Sequence, residues 1–213
     1  LRTGEEPHAL AGLGALLLER GDTDGALRHL GRAADLAPHD ALIQMTLGQT
    51  FAKRGTPAFA EQAFANALKQ RPELHKARVL LAELLLNEKR PAEAEPHYRE
   101  LLAVPEFAAL AHVGVADAAR AQDRLEDAVA GYRAALALDP AQVTPTRALA
   151  WTLARLGRHD EAFAAYDACL AQLPGDDALL RALADVMMLV GRLPEAALGG
   201  KELLDRKAGD LEA

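Results

Sequence analysis

In the stretch RALAWTLARLG, residues 147–157, the chain's only tryptophan, Trp151, stands four residues after Arg147 and four before Arg155. Aromatic residues make up just 4 % of the sequence, so a lone indole between guanidinium groups calls for a reason. Those residue types do recognition chemistry. An indole offers a large apolar face, and arginine presents a planar fork of donors to carboxylates. Trp and Arg are also the side chains that dominate binding hot spots.

Other chemistry is hard to place. GLGALL at 12–17 begins like a dinucleotide fingerprint, but Leu17 takes its third glycine and no strand precedes it. GGK at 199–201 lacks the rest of a phosphate loop. The seven histidines, His8, His29, His39, His75, His97, His112 and His159, show no metal-ligand spacing, so neither a metal nor another cofactor is expected. Cys169 stands alone, which excludes an intrachain disulfide and leaves the redox compartment open. No paired carboxylates and no Ser/His/Asp set group together, and an enzymatic role for these residues is not expected. With 24 Lys and Arg against 31 Asp and Glu, the net charge of −7 argues against binding nucleic acid, which needs a basic face. No apolar run approaches the roughly 18 residues that cross a bilayer. LRTGEEPHAL has no basic segment leading into an apolar stretch. The expected location is cytoplasmic, with a periplasmic one also compatible.

Whatever these residues do, a repeated element positions them. Without insertion the chain divides into six blocks of 34 residues, 7–40, 41–74, 75–108, 109–142, 143–176 and 177–210, with residues 1–6 and 211–213 as remnants of flanking sequence. Column 20 of the blocks is Ala26, Ala60, Ala94, Ala128, Ala162 and Ala196. Column 8 is Gly or Ala throughout, and column 7 is Leu or Val. Apolar residues at helical spacing, such as Gln44, Leu47, Gly48 and Phe51 with one polar exception, predict a first helix. Gly21, Gly55, Gly157 and Gly191 at column 15 supply its left-handed cap. Acidic residues such as Asp22, Asp24, Glu126, Asp127, Asp160 and Glu161 open a second helix. Pro38, Pro72, Pro140 and Pro174 at column 32 close it. Each block is therefore a helical hairpin. The small residues at columns 8 and 20 are expected to let its two axes approach, and Phe64, Tyr98, Tyr132 and Tyr166 at column 24 to fill the space between neighbouring hairpins. The third block departs most, since Lys89 takes the glycine column and Pro105 falls one place early; the last is weakened by Gly199 and Gly200. A hairpin cannot bury both of its faces alone, so the blocks must stack. Helices of about a dozen residues between breakers exclude a coiled coil.

The period, Leu47-Gly48, Phe51, Ala60, Phe64, Ala67 and Pro72, with the equivalent columns elsewhere, resemble the tetratricopeptide repeat over 204 of 213 residues. The resemblance implies an all-α fold, a right-handed superhelical solenoid of six antiparallel hairpins whose first helices line a concave groove for a partner peptide or helix. Carried over by column, the groove runs from Ala11, Met45, Val79 and Val113 at column 5 to Arg147 and Arg181. Column 9 supplies Ala15, Gln49, Glu83, Asp117, Trp151 and Asp185, while columns 12 and 13 add Arg120, Met188, Lys53 and Arg155. Its first third is then apolar, its middle acidic, and its last third gathers Arg147, Trp151, Arg155 and Arg181. One reading has these arginines satisfy Asp117 and Asp185, with Trp151 packed on a neighbouring helix; the other makes Trp151 an anchor for an acidic and apolar segment. Receptors of chaperone C-termini in this family use a Lys, Asn and Arg set that Ala11, Ala15, Thr46, Lys76 and Leu80 do not reproduce.

Three functions fit. The first is a protein-interaction scaffold with a protein or peptide partner. The second is the substrate-presenting region of a larger enzyme of glycosyltransferase or sulfotransferase type. The third is a self-assembling structural protein. The uncapped ends read as a fragment of a longer repeat array or as surfaces for end-to-end association. Trp151 is off the shared pattern, because the family's own Trp belongs at column 4, where Thr146 stands.

Overall fold

A computed structural model describes residues 6–173, 177–189 and 191. Among them are eleven α-helices and no strand. They fall into two compact units, Leu1–Leu101 and Leu102–Ala213. The first unit holds α1 (Pro7–Glu19), α2 (Thr23–Leu36), α3 (Ala41–Arg54), α4 (Pro57–Gln70), α5 (His75–Asn87) and α6 (Pro91–Leu101). The second holds α7 (Pro105–Ala121), α8 (Leu125–Leu138), α9 (Val143–Arg155), α10 (His159–Gln172) and α11 (Asp177–Leu189). The second helix expected of the last block, with its Gly199-Gly200 pair, and Pro174 lie outside the described residues.

Helix starts at 7, 41, 75, 143 and 177 keep the 34-residue step, and α7 breaks it by starting four residues early. The cause is Pro105. It does not close the preceding repeat but occupies the first turn of α7, where a missing N–H costs nothing and the fixed φ suits a helix. The prolines after α2, α4 and α8 act as terminators. Ala37, Arg71 and Asp139, which precede them, have φ of −136°, −140° and −145°, outside the helical region that a following proline disfavours. At column 15 all six residues are left-handed. Gly21, Gly55, Gly157 and Gly191 have φ of 75–84°, whereas Lys89 and Asp123 are held at 59° despite their Cβ atoms.

Within each unit every helix packs on the next, and alternate first helices also touch, α1 on α3, α3 on α5 and α9 on α11. Column 24 is buried in all five described repeats, as Leu30, Phe64, Tyr98, Tyr132 and Tyr166. These side chains were expected between hairpins, but they also fill their own hairpin: a Cβ on Gly48 would stand 2.6 Å from the Phe64 ring, and one on Gly14 2.6 Å from Leu30. Column 8 must stay small because column 24 lies on it. In the second unit Tyr132, Leu149, Leu153, Phe163, Tyr166 and Leu179 form one continuous core. Thr146 is fully buried there, its hydroxyl donating to the Gln142 carbonyl at 2.7 Å.

Candidate partner-binding cleft

Helices α7, α9 and α11 present columns 5, 9 and 12 on one side of the second unit, and there a cleft of about 460 Å³ opens. Its walls include Asp117, Arg120, Arg147, Trp151 and Asp185, and Tyr166 reaches it from α10. Trp151 is 40 % exposed. Two guanidinium groups lie over its ring, that of Arg155 at 5.1 Å and that of Arg120 at 5.7 Å from the centroid, within cation–π range. The indole is thus neither packed away nor bare.

Each of those arginines is held from the far side. Arg120 Nε donates to the Tyr132 hydroxyl at 2.9 Å, and its Nη2 to Asp117 Oδ1 at 3.2 Å. Tyr132 in turn donates to the same carboxylate oxygen at 2.5 Å. Arg155 Nη2 donates to Asp123 Oδ1 at 2.9 Å. Burial opposes the charge of Arg120, but Tyr132 and Asp117 outweigh it and its pKa rises. Burial first, then Asp117, pushes the Tyr132 phenol well above its ordinary range. Burial also pushes Tyr166 up to about 12, with Arg147 pulling it down and Asp185 pushing it up.

The expected groove residues part company here. Asp117, Arg120, Arg147 and Trp151 meet in the cleft, with Arg155 on the indole. Arg181 does not join them. It reaches back to Asp177 at 3.7 Å, one turn in the direction opposite to Asp185, so the expected pairing of Arg181 with Asp185 is not formed. Of the other arginines only Arg120 meets Asp117, and Arg147 has no ion pair among the described residues. Gln49 and Glu83 lie in the first unit, on α3 and α5. Partial loss of hydration raises the carboxyl pKa of Glu83, although the residue is exposed. Met45 and Val79, expected on an apolar groove wall, are buried as core, because neighbouring first helices touch in this unit. The sequence reading missed Tyr166, Thr144, Ala148, Ala182 and Val186 as cleft residues. For Tyr166 a signal existed: the columns that serve Tyr132 with Asp117 and Arg120 hold Trp151 and Ala154 one repeat later.

A second cavity of about 410 Å³ lies among α8, α9 and α10, lined by Leu136, Ala164, Ala165, Ala168 and the buried Cys169. Among the described residues no three metal-capable side chains come together, and no helix is long and apolar enough to cross a membrane.

Two-helix units in a 34-residue step, packed in order through a shared column of large side chains, define a helical-hairpin repeat protein. The chain belongs to the tetratricopeptide repeat family: sequence models of that repeat match residues 11–75, 45–105, 79–143 and 143–186. Solved structures share the fold. MamA from Desulfovibrio magneticus RS-1 is 23 % identical, covering 82 % of this chain and 98 % of its own, with a TM-score of 0.74. PilF from Pseudomonas aeruginosa is 22 % identical over 97 % and 94 %, with a TM-score of 0.75. YrrB, described as a TPR protein with an unusual peptide-binding site, is 18 % identical over 81 % and 89 %, with a TM-score of 0.66. No curated protein matches the chain by sequence.

Proposed function

We propose that this chain is a protein-interaction scaffold and that the cleft of α7, α9 and α11 takes a segment of its partner. The observation that carries the reading is Trp151, an exposed indole on a cleft wall, stiffened by two arginines that are themselves fixed by Asp117, Tyr132 and Asp123. A binding anchor gains affinity when it is ordered before the partner arrives. The cleft volume lies in the range of sites that enclose a few side chains. The peptide-binding site in the description of YrrB shows that the fold accommodates such a use in another protein.

A displayed library of random 12-residue peptides selected on the chain tests this, with binding read from the emission of the single Trp. Recovered peptides should perturb that emission, and Trp151→Ala, followed by calorimetry, should weaken them by about 2 kcal/mol while the melting temperature holds. Unchanged affinity in Trp151→Ala, or a collapsed melting temperature with the affinity of the remaining folded protein intact, would assign the indole to packing.

A further inference from the structure

Successive repeats of the second unit treat the same buried tyrosine differently. Tyr132 and Tyr166 occupy column 24 with 0 % and 1 % of their surface exposed. The Tyr132 hydroxyl is satisfied twice, by the Asp117 carboxylate and the Arg120 guanidinium. Around Tyr166 those two columns are Trp151 and Ala154, and its hydroxyl has no hydrogen-bond partner among the described residues. That hydroxyl faces the cleft rather than the core: among the described residues the buried side-chain atoms left unmet are His97 Nδ1 and His159 Nδ1. Arg147, which has no ion pair among the described residues, lines the same cleft close enough to act on the phenol. A guanidinium and a phenol thus line one cleft, neither with a hydrogen-bond or ion-pair partner among the described residues, and the carboxylates of Asp117 and Asp185 line it too.

We propose that Arg147 and Tyr166 form a carboxylate subsite: an acidic group of the bound segment lies against the Arg147 guanidinium and accepts from the Tyr166 hydroxyl, while an adjacent apolar side chain rests on Trp151. This rests on the cleft being the partner site. Asp185 restricts the occupant. Its carboxylate lines the same cleft and is near enough to Tyr166 to raise the phenol's pKa, so a second negative charge is repelled and a donor of the segment, a backbone amide or a basic side chain, is favoured. A single carboxylate fits, and a phosphate dianion or a run of acids does not. The carboxylate can come from a side chain or from a C-terminus.

The test uses library-selected peptides, each resynthesised with its acidic residues as amides and, separately, with its C-terminus amidated, and titrated against the chain by Trp151 emission. The neutralised peptide should bind about 10-fold more weakly, and which neutralisation matters identifies the source of the carboxylate. Tyr166→Phe should lose several-fold with an unchanged melting temperature. Arg147→Gln, at an exposed position where folding is not at stake, should bind acid and amide forms alike. Peptides that perturb Trp151 yet bind equally as acid and amide, or equally to Tyr166→Phe and Arg147→Gln, would overturn the subsite and leave the cleft standing. If no peptide perturbs Trp151 emission, or if Trp151→Ala binds as well as the parent, the cleft reading fails and the subsite with it.

Discussion

The two column-24 tyrosines offer a paired measurement of what one hydroxyl does in two environments. Tyr132→Phe removes a donor to Asp117 and an acceptor for Arg120, both part-buried, and should cost about 1 kcal/mol in urea or thermal unfolding. Tyr166→Phe removes a hydroxyl without a partner among the described residues and should leave stability unchanged or slightly raised. Equal losses in the two variants would mean that the Tyr166 hydroxyl is satisfied in solution by an ordered water. At this scale the sequence was partly legible. That Trp151 lies off the repeat pattern follows from the columns alone. That Arg120 and Arg155 are tied to Asp117 and Asp123, and that Arg181 turns to Asp177, does not follow, because a helical arginine can reach acids in either direction along its own helix or on its neighbour.

At the scale of the element, the turn between the two helices of a hairpin is where local sequence and required conformation disagree. Column 15 is left-handed in every described repeat, and Lys89 and Asp123 carry a Cβ there at a cost of roughly 1–2 kcal/mol each. Lys89→Gly should therefore stabilise the chain by about 1 kcal/mol after the added freedom of glycine in the unfolded state is allowed for, seen as a higher urea midpoint by circular dichroism. Asp123→Gly should not give the same gain, since Asp123 holds the Arg155 that covers Trp151. Block boundaries drawn from the columns coincide with helix starts at 7, 41, 75, 143 and 177. They failed at α7, because a proline reads equally as the end of one helix or the first turn of the next, and only the length of the preceding helix decides.

At the scale of the whole molecule, ion pairs tie one hairpin to the next. In the first unit Arg54 meets Asp24 at 3.1 Å, and Arg90 meets Glu61 at 2.6 Å. In the second unit Arg158 bridges Glu126 at 2.8 Å and Glu161 at 2.7 Å, and Arg133 also pairs with Glu161. Arg158 first, and Arg133 after it, pull the Glu161 carboxyl down to about 2 from an ordinary 4.5. A depressed carboxylate contributes stability that is fully present above its unfolded value and fades as pH falls toward the folded one. Glu161→Gln should therefore lower the melting temperature at pH 7 and flatten its decline between pH 4.5 and 2, with the difference shrinking in high salt because these groups face solvent. A parallel pH dependence in parent and variant would show that this pair contributes nothing to stacking.

The sequence by itself determined the repeat, its helical hairpins and the columns that bury, because period, caps and breakers are local properties and most of the six blocks repeat each signal. It also singled out Trp151 and placed Asp117, Arg120 and Arg147 among the residues to watch. Only the tertiary structure decided that these four share one cleft, that Met45 and Val79 belong to the core, and that among the described residues the Tyr166 hydroxyl has no hydrogen-bond partner where that of Tyr132 has two. The physical reason is that hydrogen bonding and charge pairing are settled between helices: whether a side chain is satisfied depends on what the adjacent repeat places opposite it, and a column pattern does not record that.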